Sequence, residues 1–157
     1  MSRPTPGIAI CLALCVGAGA AFGAVDQYGL AHELGDESQR VTIVDFAASW
    51  CAPCRRSLPL LEELAERHPG IRVVVVSVDD EVAGRDDLVS SLDLELPVIW
   101  DEGHELAETF RPRGMPATFV LGPGGEVIYE HVGFTRRKWK ELSELIARLD
   151  EAEEEIR

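Results

Sequence analysis

The segment Ile71 to Val78 reads Ile-Arg-Val-Val-Val-Val-Ser-Val. A nearly unbroken run of β-branched residues has neither the 3.6-residue period of an amphipathic helix nor the alternation of a half-solvated strand. It describes a strand covered on both faces, which is the position of a central strand in an α/β sheet. Val41 to Ala47 is a second such run, broken by a single polar residue, Asp45. Two strands of this kind demand helices above and below them. A chain of 157 residues has room for one domain built this way.

The remaining pattern supplies those layers. After Cys54, Leu58, Leu61, Leu64 and Ala65 recur on one helical face. Pro59 should kink that helix, and Pro69-Gly70 should end it. Helices are expected over Val82 to Leu92 and His104 to Phe110, with a short strand, Pro97 to Trp100, between them. Strands over Ala117 to Leu121 and Glu126 to Val132 flank Gly122-Pro123-Gly124-Gly125, a hairpin signal. The last helix should start near Thr135 as its N-cap and bury Trp139, Leu142, Ile146 and Leu149. Its charged end, Asp150 to Arg157, is expected to fray. Val25 to Leu34 reads as a weak helix closed by Gly35-Asp36. The fold class is therefore α/β, a mixed sheet with helices on both faces.

The first residues carry a different message. Arg3 and the amino terminus precede an uncharged apolar run, Ile8 to Phe22, and Ala21-Phe22-Gly23 offers a small-x-small cleavage pattern. Residues 1–23 are expected to be a signal peptide, with an uncleaved anchor as the alternative, and residues 24–157 the folded domain. A lipidated cysteine is disfavoured, since Ile10 and Leu14 precede Cys11 and Cys15. The expected location is extracytoplasmic, periplasmic or secreted. The net charge of -13 leaves no basic stripe to neutralise phosphates, which excludes a nucleic-acid partner.

Of four cysteines, the two in the expected domain form one close pair, Cys51 and Cys54. A stapling framework would scatter its cysteines through the fold. Zinc asks for four ligands, and His32, His68, His104 and His131 have no ligand spacing, so no metal is assigned. Redox chemistry remains. Cys51 falls where a strand ends and a helix begins, and unpaired N–H groups there stabilise a thiolate. That makes Cys51 the attacking thiol and Cys54, one turn on, the resolving one. Attack on a substrate disulfide forms a mixed disulfide, which Cys54 then resolves without any cofactor. Asp45, buried near Cys54, should have a raised pKa and accept the proton as Cys54 ionises.

Val44-Asp45-Phe46-Ala47-Ala48-Ser49-Trp50-Cys51-Ala52-Pro53-Cys54 resembles the active-site strand and loop of thioredoxin, and Arg113-Gly114-Met115-Pro116-Ala117-Thr118-Phe119 resembles that family's second signature. The resemblance implies a thioredoxin-like fold, a cis peptide bond before Pro116, and a substrate-binding platform that includes Met115, Trp50 and Pro53. The added helix-strand unit between Asp80 and Trp100 is similar to the TlpA/ResA-type subgroup of exported thiol-disulfide oxidoreductases. That subgroup usually carries Glu three residues after the second cysteine, where this chain has Ser57, and Asn where it has Asp45. Thioredoxin pairs its buried Asp with a Lys on the central strand; Val73 to Val76 provides none.

The Ala52-Pro53 dipeptide lacks the histidine found in strong oxidants of this fold. A reductase is expected, with a potential nearer about -270 mV than about -120 mV. It would act as a monomer on disulfide-bearing proteins and draw electrons from a membrane thiol-reducing partner. A copper(I)-binding chaperone is the alternative, since soft thiolates suit that ion. A passive thioredoxin-fold module is a third class, disfavoured by retention of both cysteines and Pro116.

Overall fold

The computed structural model describes residues 22–34 and 40–156. The N-terminal address lies outside the described residues except for Phe22 and Gly23, and the Gly35-Asp36 turn lies outside them as well. Five strands form one sheet in the order β5-β4-β3-β6-β7. They are β3 (Thr42–Ala47), β4 (Arg72–Ser77), β5 (Val98–Trp100), β6 (Ala117–Leu121) and β7 (Val127–Val132). β4 runs parallel to both β3 and β5, whereas β6 is antiparallel to β3 and to β7. The helices are α1 (Ala52–Arg67), α2 (Val82–Leu92), α3 (Glu105–Phe110) and α4 (Arg136–Ile156).

Alternation along the strands sorts the core into two layers. Ile43, Val73, Val75, Val98 and Val120 meet Leu58, Leu61 and Leu64 of α1, Leu88 of α2, and Leu142 and Ile146 of α4. Val44, Phe46, Val74, Val76, Ile99 and Phe119 face the other way, against Leu106 and Phe110 of α3. The two valine-rich strands are covered on both sides, as their composition requires. The helix-strand unit α2-β5 is inserted between β4 and α3, and its strand forms an edge of the sheet.

Residues 25–34 depart from the helical expectation. β1 (Phe22–Val25) and β2 (Ala31–Leu34) form an antiparallel hairpin. Asp26 explains why. Its Oδ1 accepts the N–H groups of Tyr28 (2.8 Å) and Leu30 (3.0 Å), so the side chain takes donors that a helix would need. Gly29 completes the turn at φ +80°. Asp26 Oδ2 then meets His32 Nε2 at 2.7 Å, and Arg72 Nη2 meets His32 Nδ1 at 2.6 Å. Arginine can only donate, so Nδ1 is the acceptor and Nε2 carries the proton given to Asp26. Beside it, the Gln27 amide bonds Leu96 O and Val98 N and thereby covers the exposed edge of β5.

The end of α4 is also a correction. The helix continues to Ile156 instead of fraying from Asp150. Asp150 Oδ2 lies 2.9 Å from His68 Nδ1 at the end of α1, and Glu153 Oε1 accepts Val41 N–H at 3.0 Å. Two of the charges that suggested a solvated tail, Asp150 and Glu153, are contacts to the end of α1 and the start of β3, while Glu151, Glu154 and Glu155 face solvent. Pro59 lies within α1, which continues through it as one helix.

Replacing Asp26 with Ala leaves two turn N–H groups and the His32 donor without their acceptor. It should destabilise the domain by about 2 kcal/mol, measured by urea unfolding, and loosen residues 25–34 first in amide exchange.

Candidate active site

β3 ends at Ala47, and three residues later the chain turns into α1. Cys51 is the N-cap of that helix, in extended backbone, with Pro53 in the first turn. The N–H of Cys54 donates to Cys51 Sγ at 3.2 Å, so sulfur occupies the place of a capping oxygen. Cys51 and Cys54 are joined in a disulfide. Cys54 is fully buried, and Cys51 is 5% exposed at the floor of an open groove. The groove has a volume of about 850 Å³ and is lined by Trp50, Pro53, Val78, Ala107, Pro112 and Met115, with Asp80 and His104 as its ionisable members.

Of the sequence-selected residues, Trp50, Cys51, Pro53 and Met115 line this groove. The Met115-Pro116 bond is cis, and Met115 borders the groove. Trp50 is 68% exposed, so it forms a wall of the groove and is not a core residue. Arg55 does not point at the thiols. It bonds Ser49 O at 3.4 Å and Ser91 Oγ at 2.7 Å, tying α1 to the loop and to α2. Ser57, where the subgroup has Glu, is buried and donates to Cys54 O at 3.1 Å.

Asp45 lies on the sheet face that α1 covers and is 2% exposed. Burial pushes its pKa up from the usual 3.8 to about 7, against the pull of a 2.6 Å hydrogen bond from Thr118 Oγ1 to Oδ1. Among the described residues, its Oδ2 has no hydrogen-bond partner.

Sequence reasoning missed Asp79. This carboxylate is 4% exposed, and its oxygens accept Ser49 N–H at 3.0 and 3.2 Å, Ser49 Oγ at 2.8 Å and Ser77 Oγ at 2.8 Å. It holds the loop that presents Trp50 and Cys51. Gly84 makes room for it, since a Cβ there would lie 2.5 Å from Asp79 Cγ. An acidic pair directly after a buried strand was the available signal, but its partner lies 30 residues away in sequence. His104, at φ 60°, has no ligand spacing in the sequence, yet it borders the groove. Among the described residues, no group of three or more His, Cys, Asp or Glu side chains could hold a metal ion.

With this geometry established, the kinship is direct. A family model described as thioredoxin-like matches residues 39–127, more than half of the chain. The protein belongs to the thioredoxin-like family. Within it, the chain is 28% identical over 114 residues to the thiol-disulfide oxidoreductase ResA of Bacillus thuringiensis subsp. konkukian, covering 71% of this chain and 66% of that protein. The chain thus spans just under two thirds of that relative's length. A structure from Chlorobium tepidum, assigned as thiol:disulfide interchange protein DsbE, superposes with a TM-score of 0.76 at 27% identity, over 82% of this chain and 92% of that one. StoA of Bacillus subtilis shares the fold, with a TM-score of 0.69 at 24% identity over 78% of this chain and 93% of its own. The Bacillus thuringiensis relative and the Chlorobium tepidum structure are both named for thiol–disulfide chemistry, and this chain carries the disulfide-bonded Cys51–Cys54 pair.

Two outcomes follow. Asp79→Ala strands three donors, the buried Ser77 hydroxyl and the half-buried N–H and hydroxyl of Ser49. It should lower stability by about 2–4 kcal/mol in denaturant unfolding and reduce the rate of exchange with a small disulfide. Asp45 gives a pH signature. Its folded pKa lies above its free value, so its contribution to stability is complete below pH 3.8 and lost as pH rises through about 7. In urea titrations from pH 4 to 8, Asp45→Asn should remove a decline of about 3 kcal/mol that the parent shows.

Proposed function

We propose that this protein is an extracytoplasmic protein-disulfide reductase working through Cys51 and Cys54. The observation that carries the reading is the placement of Cys51 Sγ on the amide of Cys54 at the start of α1, with the groove open beside it. Helix-terminal N–H groups favour negative charge on Cys51 sulfur, so Cys51 attacks the substrate disulfide. One substrate sulfur leaves as a thiol, and the other is held in a mixed disulfide. Cys54 then gives up its proton, attacks Cys51 Sγ and releases the second substrate thiol.

Asp45 takes the proton from Cys54. With a pKa near 7 it is poised to accept at neutral pH, where an ordinary carboxylate would be too weak a base. The backbone of Met115 pairs with an extended substrate chain, and Trp50 and Pro53 provide the apolar surface beside it; the cis bond before Pro116 and the place of all three on the groove support this reading. The substrate is a disulfide-bearing protein, and the enzyme acts as a monomer. Residues 1–23 act as its export signal. No described helix is long and apolar enough to cross a membrane. Electrons come from a membrane thiol-reducing partner, because an oxidising compartment does not regenerate the dithiol.

Ala52-Pro53 contains no cationic group that would strongly stabilise the reduced state, which supports the reducing direction. Equilibration in glutathione buffers should give a potential nearer about -270 mV than about -120 mV. The parent should catalyse insulin reduction, Cys51→Ser should abolish turnover, and Cys54→Ser should accumulate mixed disulfide. A parent with no turnover, or a potential at the oxidant end, would contradict the assignment.

A further inference from the structure

Ser49 stands two residues before Cys51, and each of its polar groups is held. Its N–H and hydroxyl donate to the Asp79 carboxylate, at 3.0 and 2.8 Å. Its carbonyl accepts from Arg55 Nη1 at 3.4 Å. The turn that follows is closed by Cys51 N–H, which donates to Ala48 O at 3.0 Å. A loop fixed at these points offers Cys51 one position at the start of α1.

Both residues that grip Ser49 are themselves gripped by the inserted unit α2-β5. Trp100, the last residue of β5, donates its indole N–H to Asp79 O at 2.9 Å. Gly84 of α2 packs so closely on the Asp79 side chain that a Cβ there would lie 2.5 Å from Cγ. Arg55 donates from Nη2 to Ser91 Oγ of α2 at 2.7 Å and lies 3.5 Å from Asp87. Backbone pairing makes a parallel connection. Asp101 N–H, next to Trp100, donates to Ser77 O at 2.9 Å, and Ser77 Oγ donates to Asp79 at 2.8 Å.

We propose that the inserted α2-β5 unit clamps the active-site loop, with Trp100, Gly84 and Arg55 as positioning residues that fix Cys51 on the start of α1. This role rests on the thiol–disulfide reading with Cys51 as the attacking thiol.

The two arms of the clamp are unequal. Asp79 is buried, so its carboxylate depends on the three donors it has, and its own carbonyl is fixed by the indole. The Arg55 side chain is 32% exposed and its bonds compete with water, which makes that arm the weaker. Both arms act on the thiol through geometry. A Cys51 thiolate is stabilised by the unpaired N–H groups of the first turn, and that stabilisation falls off within one turn. A displaced Sγ therefore has a higher pKa and is less often a thiolate at neutral pH. Asp80 and His104, the ionisable groups that share the groove with Cys51, take no part in either arm.

The test follows iodoacetamide alkylation of Cys51 in the reduced protein across a range of pH. Trp100→Phe keeps an aromatic ring and changes no charge, but removes the donor to Asp79 O. It should move the midpoint of the profile upward, so that the rate below the midpoint falls about threefold while the high-pH plateau keeps the parent value. Gly84→Ala should act in the same direction, although alanine is the better helix former. Arg55→Lys keeps the charge and loses the fork that joins Ser49 to Ser91, so it should shift the midpoint the same way by less. A parent midpoint there would mean that Arg55 acts by its charge alone, and its place in the clamp would be overturned. A parent midpoint in Trp100→Phe overturns the clamp as a whole, as does a Gly84→Ala protein that gains thermal stability at the parent midpoint. Should Gly84→Ala not fold, Trp100→Phe decides alone. Insulin turnover by the parent separately decides the enzymatic reading, so failure of one is distinguishable from failure of the other.

Discussion

The rest of the site depends on a hydrogen bond from one backbone amide to sulfur, Cys54 N–H to Cys51 Sγ at 3.2 Å. For that contact to exist, β3 must end at Ala47, the loop must turn within three residues, and α1 must begin immediately. Each condition has its own cause. The buried strands β4 and β6 fix where β3 lies. Asp79 holds the loop through Ser49, and Pro53 has the fixed φ that a helical first turn uses. The fold is in this sense a device for placing one sulfur on a helix terminus at the edge of a groove.

The five-stranded sheet and its four helices were legible because their signals are local. Valine runs, a 3.6-residue stripe and a Gly-Pro-Gly-Gly turn each announce an element without reference to distant residues. The N-terminal hairpin was not legible, because it depends on Asp26 meeting His32 and Arg72, the last of which is far along the chain. The end of α4 failed for a related reason. Composition alone does not distinguish a solvated acid from Glu153 bonded to Val41. Cys51, Cys54 and Asp45 stood out by residue type and position, and Pro116 through the resemblance of its segment to the thioredoxin family. Asp79 and Thr118 meet their partners Ser49 and Asp45 only once the sheet has formed, and no spacing rule reveals them.

Asp45 gives the site a character between two branches of the family. The glutamate usual at position 57 in one branch is replaced by a serine bonded to Cys54 O, and the lysine partner of the other branch has no counterpart on β4. What stands near the carboxyl instead is a hydroxyl from β6 and, beyond it, an imidazole from β7. The polar neighbours of the carboxyl thus come from the opposite side of β3 from β4.

The most direct measurement is the relative alkylation rate of the two thiols in the fully reduced protein at neutral pH, read by mass spectrometry of the modified peptides. If the helix terminus activates Cys51, iodoacetamide should modify Cys51 first and leave buried Cys54 largely untouched. Equal rates, or preferential modification of Cys54, would contradict the placement of the nucleophile and the mechanism built on it.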